Sequence, residues 1–271
     1  MPDQTNSTDP VIEDVTKSTE AYIMKNDKML IFVYVIVVVA SFFLIFSLRL
    51  DVRLAIIPIV IGVAGYAHVQ AKIKRQFTEQ FGASIGFAYA PTADESTVDG
   101  NLFKIGHSQH IYDVLSGKQD GRDSRMFSYR FTIGYGRDSH TYNFTVFETT
   151  FPNILPDIVL TSHSGIFSSV PTFSDGSERV QLEGDFNKYF TVKVPKGYET
   201  EAYQILPPNV MADLIDRAKG LNFEFNGNKL YIYANELVTV REKLQAMFDL
   251  AEYLDNLFSR STRGVNVSYS K

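Results

Sequence analysis

The chain has 271 residues, is 45% hydrophobic and carries a formal net charge of −5. It contains no cysteine, which excludes disulfides, cysteine-ligated zinc and thiol catalysis. Mild acidity without a basic stripe away from the apolar runs argues against a nucleic-acid binder. The 21 Phe and 15 Tyr residues favour β-structure in the distal part.

Residues 1–27 are polar, rich in Pro, Thr, Ser and Asp, and are expected to form a disordered tail. Met29 to Leu48 then form an uncharged run of twenty residues. At a helical rise of ~1.5 Å per residue, such a run crosses the ~30 Å hydrocarbon core of a bilayer. A second apolar run begins at Leu54, after the connection Arg49 to Arg53. Together they predict a transmembrane helical hairpin with a helical exit over 28–81, its spans at about 29–48 and 54–71. A cleaved signal peptide fits worse, because its apolar region is about 7–15 residues long and ends at small residues. Here the run is longer and leads into Phe46-Ser47-Leu48-Arg49.

Lys25, Lys28, Lys72, Lys74 and Arg75 flank the two runs, against Arg49 and Arg53 in the connection. The positive-inside bias therefore places both termini in the cytoplasm. Small residues at matched depth about Asp51 pair Ala40 with Gly62 and Ser47 with Ala55. Close approach of the two backbones is predicted at these four positions. His68 has no acidic partner in either span and reads as a headgroup-boundary residue beside Lys72 rather than a proton relay. The string Thr132-Ile133-Gly134-Tyr135-Gly136 resembles a potassium-channel filter. Both apolar runs lie upstream of it, so it reads as a turn.

The remainder, 82–271, is predicted to be a cytoplasmic α+β domain of mainly antiparallel strands with late amphipathic helices. Helix leaving the membrane stops at Gly82. Short strands are expected at Ile85–Tyr89, Leu102–Ile105 and Ile111–Leu115. Phe127, Tyr129, Phe131 and Ile133 alternate with polar residues, and Tyr142, Phe144 and Val146 repeat the pattern, which predicts an antiparallel pair with an aromatic face. A Ser/Gly-rich loop occupies 162–178. A strand runs from Tyr189 to Val194, and Pro207-Pro208 opens a helix closed by Gly220. Asn226-Gly227 between alternating apolar residues predicts a two-residue hairpin with Glu224 opposite Lys229. Glu236 to Phe258 has the spacing of an amphipathic helix, expected to cover the aromatic sheet face.

The segments Asp185-Phe186-Asn187-Lys188-Tyr189-Phe190-Thr191-Val192, Glu201-Ala202-Tyr203-Gln204-Ile205-Leu206-Pro207-Pro208, Asn222-Phe223-Glu224-Phe225 and Lys229-Leu230-Tyr231-Ile232 resemble a family of bacterial two-span membrane proteins whose C-terminal domain has no assigned activity. The resemblance is strongest over 185–233. It implies a membrane location and a hairpin-first layout, and it supplies no catalytic residues.

Motifs for chemistry are sparse. His107 and His110 face opposite sides of a strand, so they chelate only if they lie in a turn. Asp94, Glu95 and Asp99 form an acidic loop without calcium-loop spacing. The sequons at Asn6, Asn143 and Asn266 are chance triplets in a cytoplasmic bacterial domain. Nucleophile-elbow, phosphate-loop and dinucleotide fingerprints do not occur. The sequence therefore predicts a non-enzymatic protein without cofactor or metal, anchored in the bacterial cytoplasmic membrane and presenting an interaction domain at its inner face. Its expected partners are the lipid bilayer and a protein, with self-association left open and no nucleic acid. The alternative is a membrane-tethered enzyme or small-ligand sensor with its site under the 162–178 loop and His107, His110, His140 or His163 as acid–base groups.

Overall fold

The computed structural model describes residues 32–43, 45, 47, 56–163, 177–234 and 241–261. The chain divides into two units, Met1–Gln80 and Phe81–Lys271.

In the first unit, residues 32–43 form helix α1 and Ile56–Ser84 begin within it as helix α2. Tyr34, Val38, Ser41 and Ile45 are the partly covered residues of the first apolar run; Pro58, Gly62, Gly65 and Val69 are the covered stripe on α2. Spacings of four and three place each set on one helix face. A Cβ on Gly62 would lie 3.2 Å from Val38, and one on Gly65 would lie 2.4 Å from the Tyr34 ring. Later positions on α2 thus meet earlier ones on α1, so the helices run antiparallel. Bulky side chains fill glycine notches, which shifts the contact from the small-against-small register expected from sequence. Gly62 sits at that contact, Ala40 and Ser47 are exposed, and Ala55 lies outside the described residues. Among the described residues, no helix is long and apolar enough to cross a membrane.

The second unit is an α+β domain built on one antiparallel sheet. Strands β1 (Ala88–Ala93), β2 (His107–Gln119), β3 (Arg122–Ile133) and β4 (His140–Ser162) follow one another, and β5 (Ser177–Val180) and β6 (Phe190–Pro195) complete the order β1-β2-β3-β4-β6-β5. Strand β7 (Leu221–Ala234) pairs with β4. Asp120 and Gly121, both at positive φ, make the two-residue β2–β3 turn with Gln119 opposite Arg122, the geometry a tight hairpin needs. Ser108 and Asp113, also at positive φ, sit at the two register shifts of β2. As the alternation predicts, Phe127, Tyr129, Phe131, Phe144 and Val146 are buried together in one cluster.

The hairpin expected at Asn226-Gly227 does not form. β7 runs on through both residues and pairs along β4 from Thr145↔Ala234 to Leu160↔Phe223. The register shifts by three residues between Thr150 and Leu155 and by one more before Ile158, all extra on β4. There the sequence places prolines at 152 and 156, which lack the amide hydrogen a regular ladder requires. Gly227, at φ +57°, is where β7 follows that bend. The bend reverses the alternation of β7, so Glu224 shares a face with Tyr231 and Tyr233, while Phe223 and Phe225 turn to the other side.

Helices α3 (Phe186–Tyr189), α4 (Glu199–Ile205), α5 (Pro208–Arg217) and α6 (Arg241–Ser261) complete the unit. α6 covers the sheet, but on the face opposite the one expected. Its Phe248 meets Phe147 and Phe87 edge-on at 5.9 and 5.5 Å, and Phe258 meets Phe225 at 4.9 Å. The Phe127–Tyr129–Phe131 face is covered instead by residues 94–104, two short 3-10 turns where a strand at Leu102–Ile105 had been expected. The tail 1–27, residues 164–176 of the Ser/Gly-rich loop, and Leu237 and Val240 lie outside the described residues.

Candidate functional site

The 94–104 segment is held to the sheet by bonds from several strands. Its turns close on themselves, Thr97 N–H donating to Asp94 O and Phe103 N–H to Gly100 O, both at 3.1 Å. The Phe103 ring enters an aromatic box, edge-on to Tyr129 at 4.9 Å and Tyr231 at 5.1 Å and tilted against Phe127 at 6.1 Å. Side chains of the sheet hold it down. The amides of Asn101 and Leu102 donate to the Glu224 carboxyl, the latter at 3.3 Å. The Asp99 amide donates to the Tyr231 hydroxyl at 3.2 Å, and Gln109 Nε2 donates to the Phe103 carbonyl at 2.7 Å.

Arg125 donates to the Thr97 hydroxyl and carbonyl, each at 3.1 Å, and Lys229 Nζ to the same carbonyl at 3.3 Å. Both cations also pair with the buried Glu148, Lys229 at 3.1 Å. The box, the carboxyl and the cations thus converge on one short segment.

Glu224 is fully buried. Burial pushes its pKa up from 4.5 to about 7, against the pull of the two amide hydrogen bonds. The Asp157 carboxylate adds to the rise and Lys104 opposes it. Gly100 permits the close approach, because a Cβ there would meet Phe103 at 3.0 Å and Glu224 Oε1 at 3.2 Å. A carboxyl titrating near neutrality suits proton transfer in general. This one has no solvent exposure, and its two oxygens take amide hydrogens, so its present work is to hold the loop.

A second polar cluster lies where α6 crosses the β2–β3 turn. Arg122 donates to Asp255 and Ser259, with its guanidinium carbon 5.9 Å from the centre of the Phe151 ring. Asp255 is fully buried, and burial raises its pKa to about 6 against the attraction of Arg122. Asn256 donates to Asp120 at 3.4 Å across the same corner.

The four histidines weighed as acid–base groups do not converge. His107 bonds the Gly134 carbonyl at 2.8 Å and stacks on Tyr135 at 4.4 Å; His110 lies 3.7 Å from Glu95. His140 opens β4 opposite Ile133, and His163 bonds the Lys188 carbonyl and the Thr191 hydroxyl, at 3.0 and 2.8 Å. Among the described residues, no group of three or more His, Asp or Glu side chains could hold a metal ion. Glu224, read from sequence only as a hairpin partner of Lys229, was signalled by being a charge between Phe223 and Phe225 in an apolar strand.

No protein-family model matches the chain, and no curated protein matches it. Among solved structures, the chain is similar to the crystal structure of the mycobacterial trehalose monomycolate transport factor A, TtfA, with a TM-score of 0.53 at 11% sequence identity. The match covers 72% of this chain and 98% of that one. What the likeness shows is a shared fold.

Proposed function

We propose that this chain is a non-enzymatic protein of the bacterial cytoplasmic membrane, anchored by its N-terminal helical pair and presenting the α+β domain to a partner at the inner face. One observation carries the reading: the two packed helices expose large apolar side chains on the faces turned away from their contact. Phe32, Val39 and Phe43 on α1 are 64%, 61% and 73% exposed, and Ile59, Val60 and Val63 on α2 are 53%, 58% and 65%. Apolar surface of that extent is costly in water and costs nothing against acyl chains. The uncharged run from Met29 to Leu48 and the basic residues at its outer flanks support the same placement. So does the resemblance of residues 185–233 to two-span membrane proteins.

The comparison protein is a transport factor, and the corresponding proposal here is a partner within membrane transport. Extraction of cell membranes with alkaline carbonate tests the anchor. The full chain is expected to stay in the pellet, and an Ile36→Lys/Val60→Lys variant to move toward the supernatant. Release of the unaltered chain contradicts the proposal.

A further inference from the structure

The attachments of the 94–104 segment are unequal. Those through Arg125 and Lys229 lie at the partly exposed rim, whereas Glu224 grips the amides of residues 101 and 102 from inside, beneath Leu102 and Phe103. The carboxyl is 123 residues away in sequence from the amide of Asn101, so the bond ties the loop to β7, a strand remote in the chain. Lifting the segment would expose to solvent a carboxyl that is now fully buried, and a carboxylate gains far more from water than a carboxylic acid does.

We propose that residues 94–104 form a proton-controlled lid, held closed while Glu224 carries a proton and released as that carboxyl ionises, and that release uncovers the aromatic box now filled by Phe103. The groups facing Glu224 support this direction. Asp157 on β4 is a carboxylate that opposes a second negative charge, and its own pKa is raised first by burial. Tyr231 and Tyr233 on β7 are neutral, buried phenols. Lys104 on the lid is the one cation that pulls the other way among the groups acting on Glu224. Lys193 on β6 lies beyond Val159, which separates it from Glu224 on the same rung.

With the lid open, the carboxyl returns to its ordinary value of 4.5, while closure holds it near 7. Each pH step between those values therefore favours opening by up to tenfold, to a ceiling of about 300-fold.

Hydrogen exchange on the full chain in detergent micelles, between pH 5 and pH 8 and corrected for intrinsic exchange, reads this directly. The amides of residues 101–103 are expected to lose protection as pH rises, while those of Phe127 to Phe131 in β3 keep theirs. Glu224→Gln is expected to abolish the pH dependence. Asp157→Asn is expected to lower the ceiling of the pH-dependent opening, because removing that charge brings the closed-state pKa of Glu224 down toward its ordinary value. Protection that does not change with pH, or the same profile in the Glu224→Gln protein, overturns the proposal; if Glu224→Gln does not fold, an Asp157→Asn profile identical to the parent overturns it.

Discussion

Replacing Arg122 by leucine exposes what its bonds to Asp255 and Ser259 on α6 contribute. Asp255 is fully buried, and Arg122 is the cation that offsets its burial. A carboxyl moved from 3.8 to about 6 corresponds to roughly 3 kcal/mol, at ~1.4 kcal/mol per tenfold. Because the folded value is raised, that stability is present below pH 3.8 and is lost as pH climbs toward 6.

Without the guanidinium, the ionised carboxylate is left buried and unpaired, which costs about 3–5 kcal/mol at pH 8. At pH 5 the carboxyl largely keeps its proton, and the loss shrinks to about 1–2 kcal/mol from the hydrogen bonds and packing. The Arg122→Leu/Asp255→Leu double variant should recover most of the pH 8 loss, since an apolar pair can replace a buried ion pair at little cost. Urea unfolding at fixed detergent, followed by circular dichroism because the chain lacks Trp, measures all three. Equal losses at both pH values, or a double variant as unstable as the single one, would refute the reasoning.

Gly65→Leu should force the α1–α2 contact apart, because a Cβ alone would meet the Tyr34 ring at 2.4 Å; cross-linking between cysteines placed at positions 38 and 62 should fall several-fold. Gly117→Val should destabilise the domain by about 1–3 kcal/mol in urea unfolding, since a Cβ there would lie 2.4 Å from Phe87. Phe248→Ala, which empties the site between Phe87 and Phe147, should cost about 3–5 kcal/mol by the same measurement.

The sequence showed the domain's alternating aromatic strands because burial of one sheet face leaves a period of two, visible at Phe127, Tyr129 and Phe131. Helix α5 was equally legible, with Pro208 at its first turn and Val210, Met211 and Leu214 on one side. Turn chemistry was less decisive. Asp120-Gly121 forms a hairpin and Asn226-Gly227 does not, although both pairs tolerate positive φ. What separates them is the partner: β4 extends for 23 residues and offers β7 a ladder along both of its halves. That pairing is long-range and leaves no local mark. The lid was hidden for a related reason. Leu102 and Phe103 are apolar enough to suggest a strand, but they bury themselves from two short turns, and the carboxyl that holds them comes from Glu224.

The absence of native cysteine allows the placement of the helical pair to be measured without background. Single cysteines at Val39 and Val63, both exposed on the helices, and at Ser139, exposed on the domain, are treated in intact cells and in opened membranes with a membrane-impermeant maleimide. If the helices lie in lipid with the domain on the inner face, positions 39 and 63 stay unlabelled in both preparations and position 139 reacts only once the cells are opened. Ready labelling of positions 39 and 63 in opened membranes would contradict it.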